Sequence, residues 1–264
     1  MGRNPFWAAL DAVLVVRMEN GSSGHQEWSW KAYVPHGVPV HELPPVPVPL
    51  PEGEWDKERF RKERGLASRV LGHQAALTLA SSLHFARFMI VEEDCRFRLP
   101  VIGATARMLG QMLKGCRERT ALFLSEPRLS PHTACPVAKG EKSVLLRVTD
   151  MAASAAYVMD LSLCERVLLS LPSDQRVWPW LRYYGSLEEW FARYLGRYGD
   201  LYALSPAFVS CGEGAPMPSL CKSLGHFNNA RTKYTDLSYL VNPAINSWRW
   251  LKNVNIFSGR KRLE

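Results

Sequence analysis

The stretch that decides the predicted fold is His84-Phe-Ala-Arg-Phe-Met-Ile-Val-Glu-Glu-Asp94. Its apolar run, residues 88–91, is typical of a strand that is buried on both faces of a sheet. The run ends in three consecutive carboxylates, which would therefore stand at the edge of the sheet where α/β proteins usually bind ligands. A divalent cation between these carboxylates would relieve their mutual repulsion. The alternative is a strand that continues into an ordinary solvated acidic loop.

Predicted strands and helices alternate on both sides of this segment. Apolar runs predict further strands at residues 11–18, 33–40, 120–125, 143–148 and 201–209. Apolar residues at helical spacing predict helices at 65–80, 101–115, 161–171 and 187–198. A charged stretch predicts a helix at 56–64, and a short helix is expected at 26–32. The five prolines of residues 43–51 exclude a helix there, and residues 127–142 are predicted to form a loop. The alternation predicts an α/β fold in which helices sandwich a mostly parallel sheet.

The composition of this 264-residue chain is that of a globular protein, with 47% hydrophobic and 22% charged residues. No apolar run is long enough to span a membrane, and the first residues lack the apolar core of a secretory leader. A cytoplasmic protein is therefore expected, in the host cytoplasm if the protein is viral. Neither a GxGxxG motif nor a Walker loop occurs, which argues against nucleotide sites of those two kinds.

Positive charge is concentrated at the end of the chain. Eight basic and two acidic residues in 219–264 give this segment +6 of the net charge of +8. We therefore divide the chain into an α/β domain, residues 1–218, and a basic, aromatic extension, residues 219–264. Because cations neutralise phosphates and aromatic rings stack on bases, the extension is predicted to bind nucleic acid, with Lys252, Arg260, Lys261 and Arg262 as contacts. The alternative is a solvated tail whose aromatic residues dock it on the domain.

Four motifs, taken in order, resemble the family 25 glycosyltransferases, the lipopolysaccharide and collagen galactosyltransferase type. Residues 65–94 are similar to two elements of that family, a glycine-led helix with a Ser-His pair and a strand that ends in an acidic triplet. In this chain Gly72-His73 takes the position of the Ser-His pair, and Glu92-Glu93-Asp94 takes the position of the acidic triplet. Residues 155–158 and the helix after them resemble its small-residue and tyrosine element. Residues 205–209 resemble its terminal strand. The resemblance implies a GT-A fold, in which a nucleotide-sugar donor such as a UDP-sugar lies across the carboxyl edge of the sheet.

The resemblance also implies a metal site. Glu92 and Asp94 would lie on the same side of an extended chain and bind one Mn²⁺ or Mg²⁺, which would bridge the two donor phosphates. Glu93 would contact the ribose or a backbone amide. His226 is the candidate for a third metal ligand.

Three basic residues are expected to contact the donor. Arg17 follows the first strand and would contact the base or the phosphates, while Arg69 and His73 share one face of the helix before the acidic strand. The alternatives are surface arginines and a hydrogen-bonded core histidine.

Transfer with inversion needs a carboxylate that accepts the proton of the attacking hydroxyl. Glu188 and Glu189, at the start of the helix 187–198 behind the N-cap Ser186, are the candidates, with Glu189 marginally preferred and Asp150 as the alternative. Acids are also common in a first helical turn because they stabilise the helix dipole.

The acceptor is predicted from the basic extension. It favours a hydroxymethylated pyrimidine in DNA, such as hydroxymethylcytosine in a bacteriophage genome, over a lipopolysaccharide or other glycan. Two hypotheses from other classes are a non-catalytic nucleic-acid-binding protein on a GT-A scaffold and a scaffold protein that uses the proline-rich run. The sequence leaves the sugar, the stereochemical outcome and the oligomeric state open.

Overall fold

The structure is a computed structural model that describes residues 4–19, 33–51, 57–97, 101–116, 118–125, 134–141 and 143–210. The predicted helix at 26–32 and the candidate ligand His226 lie outside these residues. So do the predicted nucleic-acid contacts Lys252, Arg260, Lys261 and Arg262.

The described strands, in chain order, are β1 (Ala12–Val16), β2 (Val40–Leu43), β3 (Arg87–Glu92), β4 (Arg96–Phe97), β5 (Thr120–Phe123), β6 (Ala134–Lys139), β7 (Val144–Val148), β8 (Ala156–Asp160), β9 (Asp200–Ser205) and β10 (Val209–Ser210). Eight of them form one sheet in the order β2-β1-β3-β8-β5-β9-β7-β6, while β4 and β10 form a separate antiparallel pair. The pairing directions make six strands of the large sheet run the same way, with β7 and β8 opposed to them. This mixed, mostly parallel sheet confirms the predicted α/β fold.

Helices cover both faces of the sheet. The described helices are α1 (Lys57–Ser82), α2 (Gly103–Gly115), α3 (Leu161–Leu168), α4 (Val177–Tyr184) and α5 (Leu187–Tyr194). The helices α1, α3, α4 and α5 pack over one face around Leu71, Trp178 and Trp190, and α2 packs over the other around Leu109 and Met112. Within the part of the chain described here, no helix is long and apolar enough to cross a membrane.

Several boundaries differ from the predictions. The two helices predicted at 56–64 and 65–80 are one helix, α1. The strand predicted at 33–40 begins only at Val40, because Pro35, Gly37 and Pro39 favour turns over the ladder. Within the predicted loop 127–142, residues 134–139 form the edge strand β6 by pairing with β7. Helix α4 was not predicted; it tolerates Pro179 because its first turn needs no amide donor there.

The strand order places a topological switch between β1 and β3. Strand β2 lies on one side of β1, and β3 lies on the other side of β1. The chain passes from β1 to β2 and then through α1 to β3. Val16 pairs with Glu92, so both strands end at the same edge of the sheet. We call this edge, where β1, β3, β5 and β9 end, the carboxyl edge. A crevice outside the carboxyl ends of the strands at such a switch is the usual ligand site of an open α/β sheet.

Candidate active site at the carboxyl edge

The three acids after the apolar run of β3 do not share one environment. Glu92 is the last residue of β3 and is only 1% exposed. The chain turns directly after it, because the Cys95 amide donates to the Glu92 carbonyl oxygen at 3.1 Å. Asp94 is exposed. The prediction that Glu92 and Asp94 lie on the same side of an extended chain was therefore wrong, since the strand ends before Asp94.

The carboxylate of Glu92 is held by protein groups. Its Oε1 atom lies 3.0 Å from Arg69 Nε, 3.1 Å from His73 Nε2 and 3.1 Å from Ser154 Oγ. Burial by itself would raise the pKa of Glu92, but the Arg69 charge and the contacts with His73 and Ser154 lower it to about 2. Arg69 and these donors thus neutralise the charge that a metal ion was predicted to neutralise, and they do not support ligation of a metal by Glu92. Among the described residues, no group of three or more His, Cys, Asp or Glu side chains is placed to hold a metal ion.

His73 connects Glu92 to Tyr157 in the interior. Its Nδ1 atom lies 2.9 Å from the Tyr157 hydroxyl, and the two rings stack with centroids 5.7 Å apart. Burial, with nearby Cys164 and Glu92, raises the pKa of Tyr157 well above its usual range, so its hydroxyl keeps the proton and can donate to Nδ1. His73 Nε2 in turn lies 3.1 Å from Glu92 Oε1, so the imidazole ring bridges Tyr157 and Glu92. His73 is fully buried, and these contacts support a positioning role rather than the predicted contact with the donor.

Arg69 connects Glu92 to Glu188, which lies at the start of α5. Its Nη1 atom lies 2.9 Å from Glu188 Oε1, which also accepts from the Ser154 hydroxyl at 2.8 Å. Ser154 therefore contacts both Glu92 and Glu188, which share its single hydroxyl proton. The other oxygen, Glu188 Oε2, is buried and has no hydrogen-bond partner among the described residues. We call these six side chains (Arg69, His73, Glu92, Ser154, Tyr157 and Glu188) the buried polar network.

Two members of the network, Ser154 and Tyr157, were not among the predicted site residues. Tyr157 carried part of the family resemblance, but Ser154 lies in a run of small residues with no spacing that marks a site. Both reach the carboxyl edge because β8 runs antiparallel to β3 and begins there; the Glu92 amide donates to the Ala155 carbonyl oxygen at 2.8 Å.

Glu93 and Arg17 lie beside the network and connect neighbouring strands. Glu93 Oε1 accepts from the Met18 amide at 2.8 Å, which is one of the two contacts predicted for it. Arg17 forms an ion pair with Glu42 of β2.

Asp94 carries the exposed charge of the acidic triplet. Reduced hydration, followed by the negative charge of Glu92, raises the pKa of its carboxyl. Glu92 and Glu93 act on Asp94 in the same direction, while the Arg69 charge opposes them.

The other two candidate bases make different contacts. Ser186 caps α5 as predicted and accepts from the Glu189 amide at 3.1 Å, while the Glu189 carboxylate lies 3.7 Å from Arg193. Asp150 follows β7, which ends beside Leu201 near the start of β9. Asp150 therefore follows its strand at the edge opposite the carboxyl edge, so Glu188 is the candidate that joins the network.

Ionisation of Glu92 is expected to make folding stability depend on acid pH. Because folding lowers the pKa of Glu92 from 4.5 to about 2, the ionised carboxylate stabilises the fold above pH 4.5, and this stabilisation is lost as the pH falls towards 2. The shift corresponds to about 3 kcal/mol. In urea unfolding, Glu92→Gln should therefore be less stable than the natural protein at pH 7, and the difference should shrink between pH 4.5 and pH 2. A difference that stays constant over this range would show that Glu92 does not titrate as inferred.

The comparisons with known proteins leave the family resemblance a prediction. No protein-family profile matches this chain, and no curated protein sequence matches it. Among solved structures, a match is the crystal structure of mannose-1-phosphate geranyltransferase from Thermus thermophilus, with 12% identity and a TM-score of 0.30. The match covers 72% of this chain and spans only 57% of that structure. Similarity at this level carries no argument about function, which we therefore infer from the residues of the chain itself.

Proposed function

We propose that this chain is a metal-dependent glycosyltransferase that moves a sugar from a nucleoside-diphosphate sugar to a hydroxyl acceptor. The observation that carries the proposal is the arrangement at the carboxyl edge between β1 and β3. There an exposed carboxylate, Asp94, follows a strand whose last residue anchors a buried network containing a second carboxylate, Glu188. One acid at the surface and another in the buried network, at a topological switch where α/β sheets usually bind ligands, suit transfer between a charged donor and an alcohol.

Asp94 fits a metal ion better than Glu92 does. Its carboxylate is exposed and has a raised pKa, which a cation would lower. Mg²⁺ is commonly held by one or two carboxylates together with substrate phosphates, so a site with few protein ligands suffices. Such an ion, when bound, would stabilise charge on the departing nucleoside diphosphate.

Glu188 is the proposed general base. Arg69 and Ser154 both hold its Oε1 atom, which fixes the orientation of the carboxylate. The Oε2 atom, which has no hydrogen-bond partner within the described ranges, would accept the proton of the acceptor hydroxyl. This assignment replaces the marginal preference for Glu189, whose carboxylate lies near Arg193.

The proposed acceptor is a hydroxymethylated pyrimidine in DNA, supported by the basic, aromatic composition of residues 219–264. Changing Arg260, Lys261 and Arg262 together to Glu is expected to weaken DNA binding by at least tenfold and to flatten its dependence on salt, because phosphate contacts are lost. Fluorescence titration of labelled DNA at several salt concentrations measures both quantities. An unchanged affinity and salt slope would mean that the extension is not the docking surface.

Donor hydrolysis across a panel of nucleotide sugars, with Mn²⁺, with Mg²⁺ and with a chelator, tests the reaction class. Transfer is then measured onto hydroxymethylcytosine DNA, hydroxymethyluracil DNA, unmodified DNA and a lipopolysaccharide acceptor. We expect metal-dependent hydrolysis of one donor and transfer only to the hydroxymethylated DNAs. Transfer to lipopolysaccharide alone would retain the enzyme class and change the acceptor.

A second candidate is a non-catalytic nucleic-acid-binding protein built on the same scaffold. The ion pair between Glu92 and Arg69 favours it, because this pair neutralises an acid that was predicted to bind metal. Calorimetry with a UDP-sugar and Mn²⁺ separates the candidates. Binding of the nucleotide sugar that requires Mn²⁺ supports the enzyme, and no binding at any metal concentration supports the second candidate.

A further inference from the structure

A basic and aromatic surface lies on α4, α5 and the 3-10 turn after α5. Its members, which we call the arginine–tyrosine patch, are Arg182, Tyr183, Tyr184, Arg193, Tyr194 and Arg197. The three arginines are exposed. Residues 182–198 contain two acids, Glu188 and Glu189, and both are buried. Arg193 pairs with Glu189 at 3.7 Å, and the exposed formal charges along this segment are those of the three arginines, whereas an ordinary solvated face mixes both signs.

The aromatic rings of the patch form a connected array at the surface. Tyr183 is 72% exposed, and its ring meets Tyr184 edge-on with centroids 4.6 Å apart. Tyr184 in turn meets Tyr194 edge-on at 5.4 Å, which joins α4 to α5. The Arg197 guanidinium lies over the Tyr194 ring, 5.1 Å from its centroid. The contacts fix the rings beside the arginines, so a ligand can meet a cation and a ring face at once.

We propose that the arginine–tyrosine patch binds single-stranded nucleic acid. Arginines neutralise backbone phosphates, and an exposed tyrosine ring stacks on any unpaired base, which explains why the two residue types occur together. Paired bases in a duplex present no accessible faces to Tyr183. The patch therefore favours unpaired or extruded nucleotides over intact duplex.

The position of the patch connects it to the candidate active site. Tyr184 is followed by the turn Gly185-Ser186 and then by α5, whose second residue is the buried Glu188. A single-stranded nucleic acid that lies across Tyr183 and Tyr184 would thus pass close to the first turn of α5. This part of the inference rests on the proposed function and makes the patch the path by which an acceptor nucleotide approaches Glu188. Binding to the patch itself requires no catalysis.

The test uses the chain of residues 1–264 and a labelled single-stranded oligonucleotide of about 16 nucleotides, within the site sizes of known single-strand binders. Fluorescence anisotropy is measured at salt concentrations between about 50 and about 300 mM, a range over which phosphate contacts change affinity strongly. The double variant Arg182→Glu/Arg197→Glu should bind at least tenfold more weakly, and the slope of log K against log salt should fall by about 1.4, or about 0.7 for each lost phosphate contact. Tyr183→Ala should weaken binding about fivefold or more without a change of slope, because stacking is not a counterion effect.

The matched control is Arg107→Glu/Lys114→Glu on α2, which makes the same change of net charge on the opposite face of the sheet. We expect its affinity to stay within about twofold of the natural protein, because these residues lie outside the patch. Equal weakening by both double variants would show an effect of overall charge and overturn the proposal, as would unchanged binding by the patch variants. Circular dichroism melts confirm that each variant is folded. If a double variant unfolds, Tyr183→Ala still tests the proposal, because it changes only an exposed side chain.

The same titrations separate this inference from the proposed function. Oligonucleotide binding that depends on the patch, without any sugar transfer, would support the patch and contradict the enzyme. Sugar transfer to a non-nucleic-acid acceptor, without patch-dependent oligonucleotide binding, would contradict the patch and retain the enzyme. Tighter binding of duplex than of single strand, with no effect of Tyr183→Ala, would overturn the stacking role.

Discussion

Asp94→Asn is expected to abolish sugar transfer, with a loss of at least about a hundredfold in kcat/KM. The amide keeps the shape of the side chain but removes the negative charge that would hold a cation against the donor phosphates, and metal stabilisation of a leaving group contributes several kcal/mol. The fold should remain intact, because Asp94 is exposed and substitutions at such sites usually change stability by less than about 0.5 kcal/mol. The raised pKa of Asp94 means that its charged form is disfavoured in the folded state. Any change in stability at pH 7 should therefore be a slight gain.

The control for this variant is Asp174→Asn, the same chemical change at an exposed residue in the 3-10 turn before α4. It should leave transfer, donor affinity and stability unchanged. The measurements are kcat/KM at saturating Mn²⁺ and the Mn²⁺ dependence of donor binding by calorimetry. Full activity of Asp94→Asn, or donor binding with the same requirement for Mn²⁺, would remove Asp94 from the metal site and with it the main support for the enzyme.

Arg69→Met is expected to lower the free energy of unfolding by about 3–5 kcal/mol, the usual effect of removing one partner of a buried ion pair. The Arg69 side chain is only 10% exposed and contacts Glu92 and Glu188, so its removal leaves two buried carboxylates without their cation. Methionine has a helix propensity close to that of arginine, so α1 itself should not be weakened. Urea unfolding at pH 7, followed by circular dichroism, measures the loss.

A second substitution tests whether this loss comes from the uncompensated charge. In the double variant Arg69→Met/Glu92→Gln, the neutral amide needs no cation, so the double variant should lose less stability than the sum of the two single losses. Additive losses would show that Arg69 and Glu92 act independently. A loss below about 1 kcal/mol for Arg69→Met alone would place the pair among the weak ion pairs of the surface.

Local pattern was sufficient for the class of fold and for the edge that carries the candidate site. The apolar run before the acids predicted β3, and helical periodicity predicted α2, α3 and α5 to within a few residues. The N-cap Ser186 was also predicted correctly, because capping involves only neighbouring residues. Strand β6 and helix α4 were missed for the opposite reason. Strand β6 forms because it pairs with β7, which local pattern does not predict. Helix α4 contains Pro179, and a proline argues against a helix unless it is known to lie in the first turn.

The sequence by itself determined that three acids stand at the end of a buried strand, that a histidine and an arginine share the helix before it, and that a carboxylate opens a later helix. Only the tertiary structure decided which of them meet. Arg69 and Glu188 are 119 residues apart in the chain, and Ser154 and Glu92 are 62 apart, yet each pair is in contact. The tertiary structure also gives the acids of the triplet different environments, because Glu92 is buried and ion-paired whereas Asp94 lies at the surface. The reason is that spacing along a chain specifies a residue's face and its local partners, whereas the charge that compensates a buried carboxylate comes from whichever element packs against it.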